Sequence, residues 1–406
     1  MTGRFVLAIV VVGILAGLGG AGLTVLLHAA QHVVFADAGS SFAEDVRAAS
    51  PARRVVGMTL AGAVIGVAWW QLRLRTTLVG VRSALTDPGA RLPFRSTALD
   101  AVTQIVAVGA GASLGREGAP RQLAAAFGEV VGDRLGLDQQ HRRVLLGAAA
   151  GAGLAAVYNA PVAGILFTAE IVLVTVDYVA LASTGLMSCI AVVVAWPVVG
   201  RSAIYELGAH GTASGVWLWA VVAGPVCAVV GRGFNLLMDL ARRGSPQQPT
   251  TALPWHIVGA MAVVGAVSMA LPGVTGNGKS VLEALIGRSG LSAGVLVALL
   301  VAKPLVTALC LRGGLVGGLI TPSMATGGSL GALVAVGLGH THGGDVTMVV
   351  CAMVGAAAML ASTQGAPIMA GAFMLEVSQA PPSLWLPVAI AVFGAWVTAR
   401  IWQSRN

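Results

Sequence analysis

The stretch AAGAGLAAVYNAPVAGILFTAE, residues 149–170, has a second copy later in the chain, GAAAMLASTQGAPIMAGAFMLE, residues 355–376. The copies align without a gap, and each carries an Ala-Pro pair, then a phenylalanine six residues and a glutamate nine residues after the proline. Alanine and glycine match by chance in so Ala- and Gly-rich a chain, but proline, phenylalanine and glutamate in one register do not. The sequence therefore predicts a duplicated architecture, with repeats over residues 1–208 and 209–406 of a single transmembrane domain, 1–406.

The composition places the chain in a membrane. Of its 406 residues, 56% are hydrophobic and 10% charged, with a mean hydropathy of +0.86, whereas soluble domains are about 25% charged. Long apolar runs of the kind that spans a bilayer lie at residues 5–27, 55–70, 181–199, 216–240, 257–271, 291–311 and 384–401. We predict a multi-pass protein of the cell membrane without a soluble domain.

Shorter apolar runs lie between these, at residues 98–112, 121–131, 144–157, 162–174, 324–337 and 346–360. They are too short to cross about 30 Å of hydrocarbon at about 1.5 Å per residue. Full-length helices mixed with half-length ones are typical of transporters whose helix ends meet at a site inside the membrane. We therefore predict an all-α fold of two inverted repeats built from tilted, partly broken helices.

The net charge of +8 does not indicate a nucleic-acid partner, because the basic residues sit in the loops without aromatic residues among them. Under the positive-inside rule they set the topology. Arg400 and Arg405 then favour a cytoplasmic C-terminus, and we expect both termini on the cytoplasmic side.

Two segments have the form of an anion-binding helix start. Leu114-Gly-Arg-Glu-Gly-Ala-Pro120 opens one helical run, and Gly317-Gly-Leu-Ile-Thr-Pro322 opens another in the second half. Glycines followed by a proline leave backbone N–H groups unpaired at the positive end of the helix dipole. Two such starts facing each other would replace the water around an anion without placing a full positive charge in lipid.

These starts, with Asn159-Ala-Pro-Val-Ala-Gly-Ile-Leu-Phe167 downstream, resemble the GREGP, GxFxP and NAPxAGxLF signature motifs of the CLC family of anion channels and anion/proton exchangers. The resemblance runs from about residue 55 to the end of the chain. It implies a CLC-like fold, transport of small inorganic anions with chloride first, no cofactor besides the permeant anion, and a homodimer with one path per subunit.

By the same resemblance, Glu117 is the gating glutamate, whose carboxylate occupies the anion path and swings aside. An ionisable residue inside a membrane segment is a functional candidate; the structural alternative is a helix-start acid favoured by the dipole. The resemblance also implies that backbone amides line the anion sites, those of Arg116, Glu117, Gly118, Leu319 and Ile320.

The departures from the family pattern concern anion selectivity. Arg75-Thr-Thr-Leu-Val79 stands at the GSGIP motif, so that Thr76 replaces the serine that donates to the central anion. Ile320 replaces the phenylalanine of GxFxP, and the family's late tyrosine finds no counterpart before Asn406. Leu319 stands where fluoride-exporting relatives carry a glutamate, which argues against that branch.

One position separates a channel from an exchanger. Proton-coupled relatives carry two acids after the NAPxAGxLF segment, whereas this chain keeps Glu170 and has Ile171 in place of the second. Since isoleucine cannot carry a proton, the sequence favours a passive channel. An anion/proton antiporter using Glu170 as its proton path is the alternative, and a structural role for Glu170 is another.

Other functional classes find less support. Gly273-Val-Thr-Gly-Asn-Gly-Lys-Ser280 matches the phosphate-binding pattern GxxxxGK[ST], but that motif needs a preceding buried strand, and an apolar helical run stands there, so we expect no nucleotide partner. The spans carry neither a Ser/His/Asp set nor HExxH nor a metal-binding cluster, so we expect no enzyme. A relative that kept the fold without transporting is the remaining alternative.

Overall fold

The computed structural model describes residues 2–35, 41–87, 89–205, 207, 214–246, 248–286, 291–342 and 346–403. These ranges contain no β-strand, and the predicted all-α architecture is confirmed. The α-helices are α1 (Gly3–Val34), α2 (Phe42–Ala48), α3 (Pro51–Arg75), α4 (Val81–Thr86), α5 (Phe94–Gly109), α6 (Gly118–Arg134), α7 (Gln139–Tyr158), α8 (Pro161–Phe167), α9 (Tyr178–Val199), α10 (Ser214–Arg243), α11 (Leu253–Ala270), α12 (Lys279–Ile286), α13 (Ala293–Arg312), α14 (Ile320–His342), α15 (Val346–Gln364), α16 (Pro367–Ser378) and α17 (Trp385–Gln403). A π-helix, Thr168–Val172, continues α8, and 3-10 turns precede α12 and α17.

Within the described ranges, eight helices are long and apolar enough to cross a bilayer: α1, α3, α9, α10, α11, α13, α14 and α17. The prediction of a multi-pass membrane protein is therefore confirmed. The share of each span that is buried separates outer helices from inner ones. It is 28% for α3 and 72% for α14, which makes α14 an interior helix.

Two of the runs predicted to be short belong to longer helices, and these predictions were wrong. The run at 324–337 lies in the 23-residue helix α14 and the run at 144–157 in the 20-residue helix α7. The run at 346–360 lies in α15, whose apolar part, Met348–Gln364, is short as predicted. The run at 324–337 begins after Ser323, a polar residue that α14 accommodates because its hydroxyl donates to the Ile320 carbonyl at 2.8 Å. Thr326 and Ser329, inside the run, donate in the same way to the carbonyls of Pro322 and Ala325.

Four apolar helices are shorter. α5, α6 and α8, with 16, 17 and 7 residues, lie at predicted short runs, whereas α16, with 12 residues, lies at none of them. At about 1.5 Å per residue, none of these reaches across the roughly 30 Å of the hydrocarbon core. Their ends must therefore be buried by neighbouring helices.

The chain forms two compact units. Unit 1 comprises Met1–His28, Ala68–Val106 and Arg116–Ile204. Its apolar core joins α1, α7 and α9 through residues such as Phe5, Leu145 and Met187. A buried carboxylate, Glu129 on α6, accepts hydrogen bonds from Arg142 of α7 and from Arg91 in the loop before α5. Unit 1 therefore has an ionic clamp beside its apolar core.

Unit 2 comprises Ala29–Val67, Ala107–Gly115 and Tyr205–Asn406. Helices α14 and α15 touch through glycines, since a Cβ at Gly331 would strike the carbonyl of Cys351. Small residues let helix backbones approach closely in membranes. Trp219 of α10 donates from Nε1 to the same Cys351 carbonyl at 2.9 Å, so three helices meet at one point of unit 2.

The two sequence copies fold alike. α7 and α8 in the first correspond to α15 and α16 in the second, and each copy breaks between its helices at a left-handed residue, Asn159 with φ 52° and Gly365 with φ 67°. These two residues occupy the same position of the 22-residue alignment. The extent of the repeats stays a prediction, and residues 208–213 at their junction lie outside the described ranges.

Candidate functional site

The loop before α6 and the loop before α14 are paired. Gly115 N–H donates to the Gly318 carbonyl at 2.7 Å, and Gly318 N–H donates back to Gly115 at 2.8 Å, so that the two residues form an isolated antiparallel bridge within unit 2. A side chain would not fit beside it, because a Cβ at Gly317 would stand 2.7 Å from Cβ of Leu114. The glycines of both signature segments thus permit a close backbone approach.

Glu117 lies at the N-cap of α6, in unit 1, and is fully buried at 0% exposure. Its carboxylate does not cap its own helix. Instead Tyr158, the last residue of α7, donates its hydroxyl to Oε2 of Glu117 at 3.4 Å. Arg121, one turn into α6, donates from Nε to the Glu117 backbone carbonyl at 2.7 Å. One carboxylate oxygen and the backbone carbonyl of this glutamate thus accept hydrogen bonds from groups of unit 1.

Arg116 and Gly118 flank Glu117 in unit 1. The guanidinium of Arg116 lies over the Tyr158 ring, 4.9 Å from its centroid, and donates from Nη2 to the Val157 carbonyl at 2.9 Å. Its Nε is buried without a hydrogen-bond partner. Gly118 begins α6. The side chain of Arg116 is thus directed to the end of α7, and the peptide at Gly118 is the first of the helix.

Leu319 and Ile320 belong to unit 2, where α14 begins at Ile320. Ile320 is buried, and the Leu319 carbonyl accepts the N–H of Ser323 in the first helical turn. The N–H groups at the start of a helix have no intrahelical acceptor. The expected anion-binding amides of the second half therefore stand at a helix start, as the sequence predicts for this segment.

Thr76 follows the last residue of α3 rather than beginning a helix. Its N–H donates to the Leu72 carbonyl, and its hydroxyl contacts the carbonyl of Thr77 at 3.4 Å. The next helix, α4, is only six residues long and begins at Val81. The structure thus places this hydroxyl at the carboxyl end of a helix, where the dipole does not favour an anion.

Glu170 lies in the π-helix Thr168–Val172 and is half-buried. Thr168 begins this turn, and its hydroxyl lies 3.1 Å from the carbonyls of both Gly147 and Gly164. The second copy has Met374 at the aligned position, and there Glu376 stays in the regular helix α16. Single π-turns occur frequently at functional sites, and the sequence analysis did not predict this one.

The sequence analysis also missed Tyr158 and Lys303. The signal for Tyr158 was its chemistry, since it is one of three tyrosines in the chain and stands in an Ala-rich helix. Lys303 is fully buried on α13, and its Nζ donates to the carbonyls of Val274 and Gly276 at 2.9 and 2.7 Å. Its signal was a single cation within an apolar run.

The segment that matches the phosphate-binding pattern is part of unit 2. A 3-10 turn, Pro272–Val274, stands in place of the strand that the motif needs, and α12 begins at Lys279. The ammonium of Lys279 pairs with Glu283 in its own helix at 3.0 Å. Lys303 is bonded to the loop itself. The segment therefore acts as a turn held by a buried lysine.

Comparison with known proteins finds chloride-channel relatives of this chain. The family model described as voltage gated chloride channel matches residues 61–400. A ClcB-like protein of Ralstonia nicotianae is 31% identical over 316 residues, which cover 76% of this chain and 73% of that protein. The voltage-gated ClC-type chloride channel ClcB of Citrobacter koseri is 26% identical over 384 residues, covering 92% and 91% of the two chains.

Solved structures share the fold. A slow cyanobacterial Cl−/H+ antiporter superposes with a TM-score of 0.83 at 21% identity, over 99% of this chain and 95% of its own. A CLC-type fluoride/proton antiporter gives a TM-score of 0.76 at 19% identity, over 97% and 95%. At such identities the likeness is one of architecture.

Proposed function

This chain belongs to the CLC family, a family of anion-transport proteins in membranes, and from that premise we propose that it conducts chloride-type anions along a path gated by Glu117. The relatives named as chloride channels support the choice of anion. Leu319, in place of the acid carried by fluoride exporters, argues against fluoride.

The observation that carries the proposal is the burial of Glu117 at the start of α6. A helix start attracts anions through its unpaired N–H groups and the dipole. The Glu117 carboxylate stands at that start without capping the helix, and its negative charge opposes a permeant anion at the same place. Moving the carboxylate aside, or protonating it, would remove that charge from the anion's place, which is a gate in the physical sense.

We further propose that conduction is passive. Glu170 is the acid that remains after the NAPVAGILF segment, and Ile171 beside it has no proton to give. The rival function is anion/proton antiport. It is favoured by the half-buried position of Glu170 in a π-helix and by the antiporter activity named for two structures of the same fold.

Two further parts of the proposal come from the family. We propose a homodimer in which each subunit has its own path, and we propose cytoplasmic termini from the basic residues such as Arg400. For the anion sites we propose the backbone amides of Arg116, Glu117, Gly118, Leu319 and Ile320, together with the hydroxyl of Thr76. Of these groups the Thr76 hydroxyl has the least support, because it contacts a carbonyl at a helix end.

Proteoliposomes loaded with chloride separate these functions when efflux and external pH are followed together. A passive channel releases chloride once a potassium ionophore balances charge, moves no protons against it, and is unaffected by Glu170→Gln. An antiporter moves protons in the opposite direction, and Glu170→Gln uncouples them. Absence of flux with chloride, bromide and nitrate, from protein that remains folded, would overturn conduction and leave the non-transporting alternative.

A further inference from the structure

Tyr158 is placed where a hydroxyl can act on the gate. It is the last residue of α7 and only 2% exposed, and its hydroxyl lies 3.4 Å from Oε2 of the fully buried Glu117. Both residues belong to unit 1. The oxygen–oxygen distance is longer than the usual 2.5–3.0 Å, so the bond is weak enough to break when the carboxylate moves.

The end of α7, which carries Tyr158, is held in place by the next residue. Asn159 follows in a left-handed conformation and caps α7. Its side chain donates from Nδ2 to the Arg201 carbonyl at 3.1 Å and accepts the Trp196 Nε1–H at 3.0 Å. The end of α7 is thereby tied to α9 and to the segment after it, so that the position of the Tyr158 ring does not depend on Glu117.

Arg116 strengthens the Tyr158 hydroxyl as a donor. Its guanidinium lies over the ring, within the roughly 6 Å at which cation–π attraction acts. A cation on the ring face draws electron density from the phenol and polarises its O–H bond. Arg116 also keeps a buried Nε–H without an acceptor in the described part of the chain. Its hydrogen bond from Nη2 goes to a neutral backbone carbonyl, so the guanidinium keeps its positive charge over the Tyr158 ring.

We propose that Tyr158 is the latch of the gate: its hydroxyl donates to Glu117 when the carboxylate closes the path, and to the permeant anion when the carboxylate has left. This inference rests on the proposed function of Glu117. It gives the chain a phenolic hydrogen-bond donor at its anion path. This donor comes from the end of α7, at a position that belongs to none of the three signature motifs. Tyr158 acts through Glu117 in the closed state and on the anion in the open state.

The latch is tested by a double-mutant cycle. Tyr158→Phe removes one oxygen and keeps the ring under Arg116. A hydrogen bond of this kind contributes about 0.5–1.5 kcal/mol, so chloride efflux should rise roughly two- to tenfold in the wild-type background, because the carboxylate leaves more readily. In the Glu117→Gln background the same substitution should not raise efflux at all.

The matched control is Tyr178→Phe, which removes the hydroxyl of a tyrosine that is 86% exposed at the start of α9. It should leave efflux unchanged in both backgrounds. A structural role of Tyr158 would change efflux equally with and without Glu117, and thermal melting of all variants checks that they remain folded. Equal effects in the two backgrounds, or no effect of Tyr158→Phe, would overturn the latch while leaving the gate of Glu117 intact.

Binding tests the second half of the proposal without any flux. Calorimetric titration of detergent-solubilised Glu117→Gln with chloride, against Glu117→Gln/Tyr158→Phe, should give a roughly two- to tenfold weaker dissociation constant for the double variant. Identical constants would contradict anion binding by the hydroxyl. If no variant transports, conduction fails, yet this comparison still decides whether Tyr158 binds the anion.

Discussion

Buried charge is the most informative feature at the scale of single residues. Glu117 and Lys303 are at most 1% exposed, each in a helical membrane segment or at its start. Burying a charge costs several kcal/mol unless it is paired or hydrogen-bonded. Their hydrogen-bond partners differ: Glu117 accepts from the Tyr158 hydroxyl, and Lys303 donates to two backbone carbonyls. Such residues persist where structure or function requires them.

We predict that Lys303→Met destabilises the protein by roughly 1–3 kcal/mol, because methionine cannot donate to the carbonyls of Val274 and Gly276. Thermal unfolding followed by loss of the monodisperse chromatographic peak measures the change. Lys279→Met is the matched control, since the ammonium of Lys279 forms only a half-exposed pair with Glu283, worth roughly 0.2–0.5 kcal/mol. Equal destabilisation by both variants would show that Lys303 does not hold the turn.

The residue scale is also where prediction from sequence succeeded least. Motif comparison selected Glu117 as a candidate because its neighbours in the sequence match the GREGP motif. Tyr158 and Lys303 belong to no pattern, and their meaning depends on atoms far away in the sequence, 41 residues for Tyr158 and 27 to 29 for Lys303. Hydropathy averaging hides Lys303 altogether, because the span that contains it is among the most apolar of the chain.

At the scale of elements, apolar runs predicted the existence of most helices but not their lengths, and α2, α4, α12 and α16 lie outside every predicted run. The run at 324–337 begins only after Ser323, yet the Ser323 hydroxyl bonds to a carbonyl of the same helix, and α14 begins earlier, at Ile320. The π-turn at Thr168 escaped prediction for a related reason. The Thr168 hydroxyl contacts the carbonyls of Gly147 and Gly164, and the contact with Gly147, 21 residues earlier, cannot be predicted from the local sequence.

The ionic clamp of unit 1 gives a prediction at this scale. Glu129, with a side chain 5% exposed, ties α7 to α6 and to the loop before α5 through Arg142 and Arg91. We expect Glu129→Gln to destabilise the protein by about 3 kcal/mol, since it leaves Arg142, whose side chain is only 15% exposed, without its counter-charge. Thermal unfolding in detergent is the measurement.

Asp133→Asn is the matched control for the clamp. Asp133 pairs with the same Arg91 but is 54% exposed, and exposed pairs contribute about 0–1 kcal/mol. The variant should therefore unfold close to the wild-type temperature. If Asp133→Asn destabilises the protein as much as Glu129→Gln does, burial is not what gives the clamp its strength.

At the scale of the whole molecule, the repeat was readable because it is local. A gapless alignment of 22 residues predicted a duplicated architecture, and the structure forms a helix pair in each copy with a left-handed residue at the aligned break. Assembly with a second copy is different, since lipid-facing and partner-facing helices are equally apolar. The prediction of a homodimer therefore rests on the family alone.

The dimer is a prediction at this scale. Light scattering of the purified protein, corrected for bound detergent, should give twice the 40.7 kDa of one chain, and the mass should hold as the protein is diluted. A particle of one chain across the concentration series, in protein that still transports, would contradict the dimer.

The central claim is that the carboxylate of Glu117 stands where the permeant anion passes. Chloride efflux from proteoliposomes, compared for wild type, Glu117→Gln and the control Glu44→Gln on the exposed face of α2, tests it most directly. We predict that Glu117→Gln changes the unitary efflux rate about tenfold or more, equivalent to about 1.4 kcal/mol, while Glu44→Gln conducts as wild type does. A wild-type protein that conducts chloride at a rate unaltered by Glu117→Gln would contradict the gate.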